Sequence, residues 1–240
     1  MKGVLLAAGL GTRLKPLTLA TSKMLVPVYD KPMILHALNT LVCSGVTQVL
    51  VVIGRDNCEG IIKLIGDGSD WGVKASYVVQ NERKGTANAV LQAERFVNGD
   101  KFVVMAGDNV FQDCFKKELD SFKKSKFNGM LFLKKVSDPS RYGVAEVNGN
   151  KILKIVEKPK APKSNLAITG LYFLDSSVFD YIKKITPSER GEYEITDLFS
   201  HLALQNQLSY SIIENYWSDV GTIQSLTEAS HYFSTLSKKL

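Results

Sequence analysis

The first half of the chain alternates short apolar runs with segments of helical periodicity, and this alternation limits the fold more than any other feature. The apolar runs predict buried strands over residues 3–7, 48–53, 73–79 and 101–106. The spacing of apolar residues between them predicts helices near residues 33–42, 60–65 and 86–96. Strands that are apolar on both faces and joined by helices are typical of a parallel sheet covered on both sides.

The second half is richer in strands. Apolar patterning predicts strands over residues 129–136, 142–147, 151–157, 167–174 and 208–213. The Asn148-Gly149-Asn150 segment lies between two of these strands and is a hairpin signal. Helices are predicted over residues 177–182, 194–204 and 222–234.

Together these patterns predict an α/β fold in a single domain over residues 1–240. We expect a Rossmann-like three-layer sandwich with a mostly parallel central sheet and a small β-rich insertion on one side. Ligands of such sheets bind beyond the carboxyl ends of the strands. The residues that follow the first and fourth strands, together with the insertion, are therefore the first candidates for a site.

Composition excludes several classes of protein. The chain has 240 residues, 45% hydrophobic and 22% charged, which is unlike a disordered segment, a fibre or a coiled coil. Three cysteines (Cys43, Cys58 and Cys114) are too few for a disulfide framework, so we expect reduced thiols in a cytoplasmic protein. The apolar start is interpreted as a strand and not a leader, and no run reaches the roughly 20 residues of a membrane helix.

The net charge of +6 is compatible with anionic partners. No dense basic run with interleaved aromatic residues is present, so nucleic acid is not an expected partner and phosphorylated metabolites fit better. The three histidines (His36, His201 and His231) lack metal-ligand spacing and the cysteines form no Cys-x-x-Cys pair, which argues against a zinc site. A Gly-x-Ser-x-Gly elbow is also missing, which disfavours a serine hydrolase.

A glycine-rich loop follows the first strand and contains Gly9, Gly11 and Arg13. Successive amide hydrogens in such a loop can bind an anion. Leu14 stands where the dinucleotide-binding fingerprint needs a small residue, which argues against a nicotinamide-dependent oxidoreductase, and no Gly-Lys-Ser/Thr follows as a P-loop requires. The guanidinium of Arg13 and the ammonium of Lys23 are suited to neutralising a triphosphate, although each alone could be a solvated surface cation.

Acidic residues supply a possible metal site. Asp108 directly follows the fourth predicted strand, where a carboxylate is well placed for Mg²⁺, although Gly-Asp-Asn is also ordinary turn chemistry. Asp219 is a second candidate ligand. Its alternative interpretation is a residue of the turn that begins the last predicted helix. Nothing in the sequence shows that the two carboxylates meet. Glu157 and Lys158 close another strand, where they could hold a sugar phosphate or form an edge-strand charge pair.

These residues are part of a longer set of motifs. In chain order the motifs are residues 6–18 (LAAGLGTRLKPLT), 22–28 (SKMLVPV), 31–34 (KPMI), 107–109 (GDN), 142–144 (YGV), 157–160 (EKPK), 163–165 (KSN), 169–172 (TGLY), 190–197 (RGEYEITD) and 217–222 (WSDVGT). The set resembles the sugar-1-phosphate nucleotidyltransferases, and among them most closely the short form of glucose-1-phosphate thymidylyltransferases. It covers nearly the whole chain in the right order.

The resemblance implies the nucleotide-diphospho-sugar transferase fold and a Mg²⁺-dependent reaction. A nucleoside triphosphate and a sugar 1-phosphate, with dTTP and glucose 1-phosphate favoured, would give a nucleotide-diphosphate sugar and pyrophosphate. The catalytic residues it implies are Arg13, Lys23 and Lys158, and the metal ligands are Asp108 and Asp219. The nucleotide-binding residues it implies are Leu6, Ala8, Gly9, Gly11, Thr12, Gln80, Gly85 and Asp108. The sugar-binding residues it implies are Tyr142, Gly143, Glu157, Ile168 and Trp217.

Two departures from the thymidylyltransferase pattern lie near the implied base pocket. Ala8 stands where a second glycine is usual, and the segment from Lys84 to Ala89 is closer to uridylyl- and adenylyltransferase relatives. UTP is therefore the alternative nucleotide, and a non-catalytic sugar-nucleotide-binding homologue is a further alternative. The family is commonly dimeric or tetrameric, so a homo-oligomer is compatible with the resemblance. About one helix follows Asp219, and we expect the regulatory site of the larger relatives to be absent or rudimentary.

Overall fold

The computed structural model describes residues 1–56 and 58–237. Its strands are β1 (Lys2–Ala7), β2 (Pro27–Val28), β3 (Lys31–Pro32), β4 (Gln48–Gly54), β5 (Lys74–Gln80), β6 (Phe102–Ala106), β7 (Asn109–Phe111), β8 (Gly129–Lys135), β9 (Gly143–Asn148), β10 (Lys151–Glu157), β11 (Leu166–Leu174), β12 (Leu208–Ile212) and β13 (Trp217–Asp219). Its α-helices are α1 (Met33–Cys43), α2 (Cys58–Ile65), α3 (Thr86–Leu91), α4 (Glu94–Val97), α5 (Lys116–Lys124), α6 (Val178–Ile182), α7 (Ile195–Leu204) and α8 (Ile223–Ser237). None of these helices is both long and apolar enough to cross a membrane.

The centre of the sheet is parallel, as the apolar alternation predicts. Strand β1 lies between β6 and β4, and β5 pairs with the far side of β4, all in parallel register. Val4 lies opposite Leu50 on one side and Val104 on the other. Because the carboxyl ends of these strands share one edge, the loops after β1 and β6 are brought side by side.

The second half extends this sheet with antiparallel pairs. Strand β11 pairs with β6, β8 and β9, and β12 pairs in parallel with β8. The hairpin signal is confirmed, since β9 and β10 are antiparallel and Asn148 pairs with Lys151 across a turn in which Gly149 has a φ of 54°. The β9–β10 hairpin therefore forms the β-rich insertion, next to the carboxyl end of β6.

Apolar side chains cover the sheet on both faces. One cluster packs α3, α6 and α7 against it, with the rings of Phe102 and Phe179 stacked at 5.3 Å. The opposite cluster packs α1, α2 and α5 against the other face. A third, smaller cluster joins the glycine loop to α8 through Leu14, Val28 and Val220. The three-layer arrangement is confirmed.

Several local features differ from the expectation, among them helix α5 and the β2–β3 pair, which were not predicted. The predicted helix over residues 86–96 is two helices, α3 and α4, because the backbone tightens between them: Gln92 and Ala93 donate to the carbonyls of Ala89 and Val90. The paired strands β7 and β13 were not expected. They have only three residues each, which is too short for a periodic pattern.

The expectation of three reduced cysteines is wrong for two of them. Cys43 at the end of α1 forms a disulfide with Cys114, with the Cα atoms 5.5 Å apart, while Cys58 is free. The amide of Phe115 also donates to the hydroxyl of Ser44 at 2.8 Å, which fixes the same junction. The two cysteines are 71 positions apart, so no local pattern in the sequence shows that the end of α1 meets the loop before α5.

Candidate active site

The glycine loop begins where β1 ends and folds back over Lys23. Gly11 has a φ of 68°, and a Cβ added there would lie 2.7 Å from the Cβ of Lys23. A glycine is therefore required by both the left-handed backbone and the close approach. The hydroxyl of Thr18 donates to the carbonyl of Gly11 at 2.9 Å, which closes the loop.

A cavity of about 320 Å³ opens at the carboxyl ends of β1, β5 and β6. Six of the eight predicted nucleotide-binding residues line it: Leu6, Ala8, Gly9, Gln80, Gly85 and Asp108. Gly11 and Thr12 lie further along the loop and do not line this cavity. The edge predicted to hold a ligand therefore carries a cavity bordered by the glycine loop.

Asp108 is paired with Lys23 in this cavity wall. The Lys23 ammonium lies 2.6 Å from a carboxylate oxygen of Asp108, and the Lys23 side chain is only 6% exposed. The amide of Asn109 donates to the other carboxylate oxygen at 3.0 Å. Burial by itself would raise the pKa of Asp108, but the charge and hydrogen bond of Lys23 hold the pKa below its ordinary value. Asp108 is thus an ionised carboxylate with a fixed orientation.

The β7–β13 pair brings Asp219 to Asp108. In this pair Asp219 lies opposite Asn109, and the amide of Val220 donates to the Asp108 carbonyl at 2.8 Å. Burial, and then the negative charge of Asp108, raise the pKa of Asp219 to about 6. The two carboxylates that are far apart in the sequence therefore share one electrostatic environment.

Replacing Asp219 with asparagine should stabilise the protein while removing a site residue. A raised native pKa means that the ionised form is disfavoured by folding, so the cost is present above about pH 6 and vanishes below the unfolded value. Because the side chain is partly exposed, we expect Asp219→Asn to gain about 1–2 kcal/mol at pH 8 and to lose that gain towards pH 4. Urea unfolding of both proteins with a chelator present measures this. An equal gain in stability at pH 8 and pH 4 would contradict a raised pKa of Asp219.

Arg13 lies at the same edge, beside the segment after β13. A Cβ on Gly221 would lie 2.7 Å from a guanidinium nitrogen of Arg13 and 3.5 Å from a carboxylate oxygen of Asp219. The positive charge of Arg13 opposes the rise in the pKa of Asp219. Arg13, Asp108, Lys23 and Asp219 thus converge, as the resemblance implies for a polyphosphate site.

Replacing Gly221 with alanine should displace Arg13 without unfolding the chain. The added methyl would meet the end of a flexible side chain, which can shift, and not a rigid backbone. Misplacing a substrate-positioning group by about 1 Å can cost 10- to 100-fold in rate. We therefore expect kcat to fall about 10-fold or more at a wild-type melting temperature. An unchanged kcat would show that the position of Arg13 does not matter.

Asn109 organises the same corner of the site, and sequence reasoning identified it only as a turn residue. Besides donating to Asp108, its amide oxygen accepts from the indole nitrogen of Trp217 at 2.7 Å and from the amide of Gly170 at 2.8 Å. One buried side chain therefore fixes Asp108, β11 and β13 together. The sequence carries no signal for this, because the three partners come from separate segments.

The predicted sugar-binding residues are also contiguous. A Cβ on Gly143 would lie 3.3 Å from the carboxylate of Glu157 and 3.4 Å from the side chain of Ile168. The rings of Tyr142 and Trp217 are 5.4 Å apart. Burial raises the pKa of Glu157, against the lowering charge of Lys158. These contacts bring the five predicted sugar-binding residues together in two neighbouring groups, joined through the adjacent Tyr142 and Gly143.

Lys158 projects from the end of β10 on strained backbone. Its φ is 40°, an uncommon conformation for a residue with a side chain. Its amide donates to the Tyr142 carbonyl at 3.0 Å, and its ammonium lies 3.7 Å from Glu157 with the side chain 46% exposed. The ammonium is thus held near Glu157 but remains accessible to a ligand.

Two arginines that sequence reasoning did not single out border the site. Arg190 lies within ion-pair distance of Glu157, Glu192 and Glu194. Arg83 lines the cavity, bonds the Ala8 carbonyl, and pairs with Asp56 across Gly54. Charged residues at every second position (Arg190, Glu192 and Glu194) could have indicated the cluster around Arg190. No local pattern indicates the contacts of Arg83, because Ala8 and Asp56 belong to other loops.

Comparison with known proteins agrees with this geometry. A sequence profile of the family described as Nucleotidyl transferase matches residues 2–235. The chain belongs to the nucleotidyl transferase family. A glucose-1-phosphate thymidylyltransferase from Neisseria meningitidis is 40% identical over 240 residues, which cover 98% of this chain and 83% of the relative. The resemblance inferred from the motifs is confirmed at the level of the family.

Solved structures of nucleotidyl transferases match the fold over nearly its whole length. A protein described as a glucose-1-phosphate thymidylyltransferase from Bacillus anthracis, in complex with sucrose, superposes with a TM-score of 0.92 at 40% identity, covering 97% of this chain and 94% of that one. A UDP-glucose pyrophosphorylase in complex with UDP-glucose superposes with a TM-score of 0.87 at 25% identity and 98% coverage of both chains. The fold class predicted from the sequence is therefore confirmed.

Proposed function

We propose that this nucleotidyl transferase uses a nucleoside triphosphate, with dTTP favoured, and glucose 1-phosphate to make a nucleotide-diphosphate sugar and pyrophosphate. The observation that carries the proposal is the convergence of Arg13, Lys23, Asp108 and Asp219 beside a cavity that the glycine loop borders. The relatives named as glucose-1-phosphate thymidylyltransferases support the same substrates. A cytoplasmic location and a homo-oligomeric state stay predictions.

The acidic pair fits Mg²⁺. Among the described residues no cluster of three or more metal-ligating side chains exists, but Mg²⁺ needs only one or two carboxylates when substrate phosphates supply the other ligands. Burial and the negative charge of Asp108 raise the pKa of Asp219, and a bound cation would offset both effects. Asp108 and Asp219 would hold the ion, which when bound supplies charge neutralisation to the phosphates.

The chemistry requires positioning more than proton transfer. The phosphate of a sugar 1-phosphate is already an anionic nucleophile, so the chain does not need a general base for the attack on the α-phosphorus. The barrier arises from bringing two anions together and from charge that develops on the departing pyrophosphate. One P–O bond forms to the sugar phosphate oxygen as the bond to pyrophosphate breaks, which is a direct in-line displacement without a covalent enzyme intermediate.

The cations of the site are arranged for this task. Arg13 would bind the leaving pyrophosphate through its planar, bidentate guanidinium. Lys23, fixed by Asp108, would face the triphosphate or the sugar phosphate, and the accessible ammonium of Lys158 would hold the sugar phosphate. Glu157 and the rings of Tyr142 and Trp217 would contact the sugar. Fixed charges of this kind stabilise a transition state without reorganising during the reaction.

UTP is the second candidate nucleotide. It is favoured by the segment Lys84–Ala89, which lies along the cavity and departs from the thymidylyltransferase pattern. The similarity to a UDP-glucose pyrophosphorylase over 98% of the chain is compatible with it. Neither nucleotide changes the roles proposed for the cations and carboxylates.

A substrate matrix tests the proposal. The purified chain is incubated with Mg²⁺, each of dTTP, UTP, CTP, ATP and GTP, and a panel of sugar 1-phosphates, and pyrophosphate release is measured. We expect glucose 1-phosphate with dTTP, or with UTP, to give the highest kcat/KM. Binding of the nucleotides without any pyrophosphate release would favour a non-catalytic homologue and contradict the proposal.

A further inference from the structure

Gln80 ends strand β5 in the wall of the cavity, and its amide orientation is fixed by a neighbour. The residue is only 4% exposed, and its Nε2 donates to Oδ1 of Asn88 at 2.8 Å. Gln80 nevertheless lines the cavity. Because the amide nitrogen is directed at Asn88, the carbonyl oxygen is the part of the amide that remains to face a ligand.

Asn88 is itself held in place by the backbone. It lies in the first turn of α3, whose start is fixed where the amide of Ala87 donates to the Tyr193 carbonyl at 3.1 Å. The amide of Tyr193 in turn donates to the Lys84 carbonyl at 2.7 Å. The Asn88 backbone therefore has a fixed position relative to β5. With its Oδ1 directed at Gln80, the side chain favours the Gln80 orientation in which Nε2 donates.

We propose that Asn88 is a positioning residue for base selection, because it turns the Gln80 carbonyl oxygen into the nucleotide cavity. This inference rests on the proposed function only in taking the cavity as the site of the base. A carbonyl oxygen there accepts a hydrogen bond from a ring N–H and repels a ring nitrogen lone pair. Thymine and uracil carry an N–H at position 3, whereas cytosine carries a lone pair there, so a Gln80 oxygen that meets position 3 selects dTTP and UTP against CTP.

Selection of this kind follows from the cost of an unpaired polar group. A site built to hydrogen-bond one partner strongly rejects an analogue that leaves its buried polar group unpaired. Leaving one buried acceptor unpaired typically weakens binding by about 10- to 100-fold. Without Asn88, the Gln80 amide could turn its NH₂ group into the cavity and accept cytosine as readily as uracil.

The test compares UTP with CTP, whose bases differ only at ring positions 3 and 4. Affinities of the full-length chain for each nucleotide are measured by calorimetry, so that the result does not depend on turnover. The wild type is expected to bind UTP at least about 10-fold more tightly than CTP. In Asn88→Ala, whose alanine suits a helix, the UTP-to-CTP ratio should fall towards 1, whereas a purely structural defect would weaken both nucleotides alike.

Two further variants make the outcome decisive. Asn88→Asp keeps an acceptor for Gln80 and should retain the wild-type UTP-to-CTP ratio. Gln92→Ala removes the hydrogen bond from Gln92 Nε2 to the Asn88 backbone carbonyl and should also leave the ratio unchanged. A wild-type ratio near 1, an unchanged ratio in Asn88→Ala, or a collapsed ratio in Asn88→Asp would each overturn the proposal. Failure of the substrate matrix alone, with this ratio intact, would overturn the proposed reaction and not the role of Asn88.

Discussion

Replacing Asp108 with asparagine should reduce turnover at least about 1,000-fold while the chain stays folded. The substitution removes a carboxylate that we propose for Mg²⁺ and leaves the charge of the developing pyrophosphate less well neutralised. Its effects on stability oppose one another. Lys23 loses an ionic partner but keeps an oxygen acceptor. Asp219 loses the like charge that, after burial, raises its pKa. Initial rates at saturating Mg²⁺ and thermal melts measure both.

Asp100→Asn is the matched control for this substitution. Asp100 also pairs with a lysine, with 2.9 Å between its carboxylate and the Lys2 ammonium, but it precedes β6 and so lies at the opposite end of that strand. The control should keep wild-type turnover. If Asp108→Asn retains near wild-type activity, the carboxylate is not a metal ligand and the proposed metal site is wrong.

Replacing Arg13 with alanine should reduce kcat about 100- to 1,000-fold, which is the range found when one charge-stabilising donor is removed from an active site. Arg13→Lys should recover only part of this loss, because an ammonium keeps the charge but not the bidentate geometry. The side chain is exposed, so neither variant should change the melting temperature by more than a few degrees. Steady-state rates with the nucleotide varied separate kcat from KM.

Lys15→Ala is the control within the same loop, since Lys15 is exposed and no role in binding is proposed for it. It should leave kcat within about twofold. A loss in Arg13→Ala confined to KM would mean that Arg13 binds ground state and transition state equally, and would contradict its proposed role at the leaving pyrophosphate.

The fold could be predicted from the sequence where the physical signal is local. Strands buried on both faces must be continuously apolar, which identified β1, β4 and β6, and the Asn148-Gly149-Asn150 turn identified the hairpin. The break between α3 and α4 could not be predicted, because residues 86–96 share one helical pattern and only the backbone bonds of Gln92 and Ala93 show the tightening. The Cys43–Cys114 bond depends on a contact between distant segments.

The site shows the same division. Asp108 could be identified because it directly follows a buried strand, and Arg13 because it lies in a glycine loop. The meeting of Asp108 with Asp219 could not be predicted, because it depends on β7 and β13, whose three-residue length leaves no periodicity. The roles of Asn109 and Asn88 depend on hydrogen bonds to side chains or segments that are not adjacent to them in the sequence, and single amides carry no pattern that distinguishes such roles.

The central claim is that an oxygen of a sugar phosphate attacks the α-phosphorus of a nucleotide and expels pyrophosphate. The most direct test uses glucose 1-phosphate labelled with ¹⁸O in its phosphate, incubated with Mg²⁺ and dTTP or UTP, followed by mass spectrometry of the products. We predict a nucleotide-diphosphate glucose that retains all of the label and pyrophosphate that contains none. Label in pyrophosphate, or no nucleotide sugar with either nucleotide, would contradict the account.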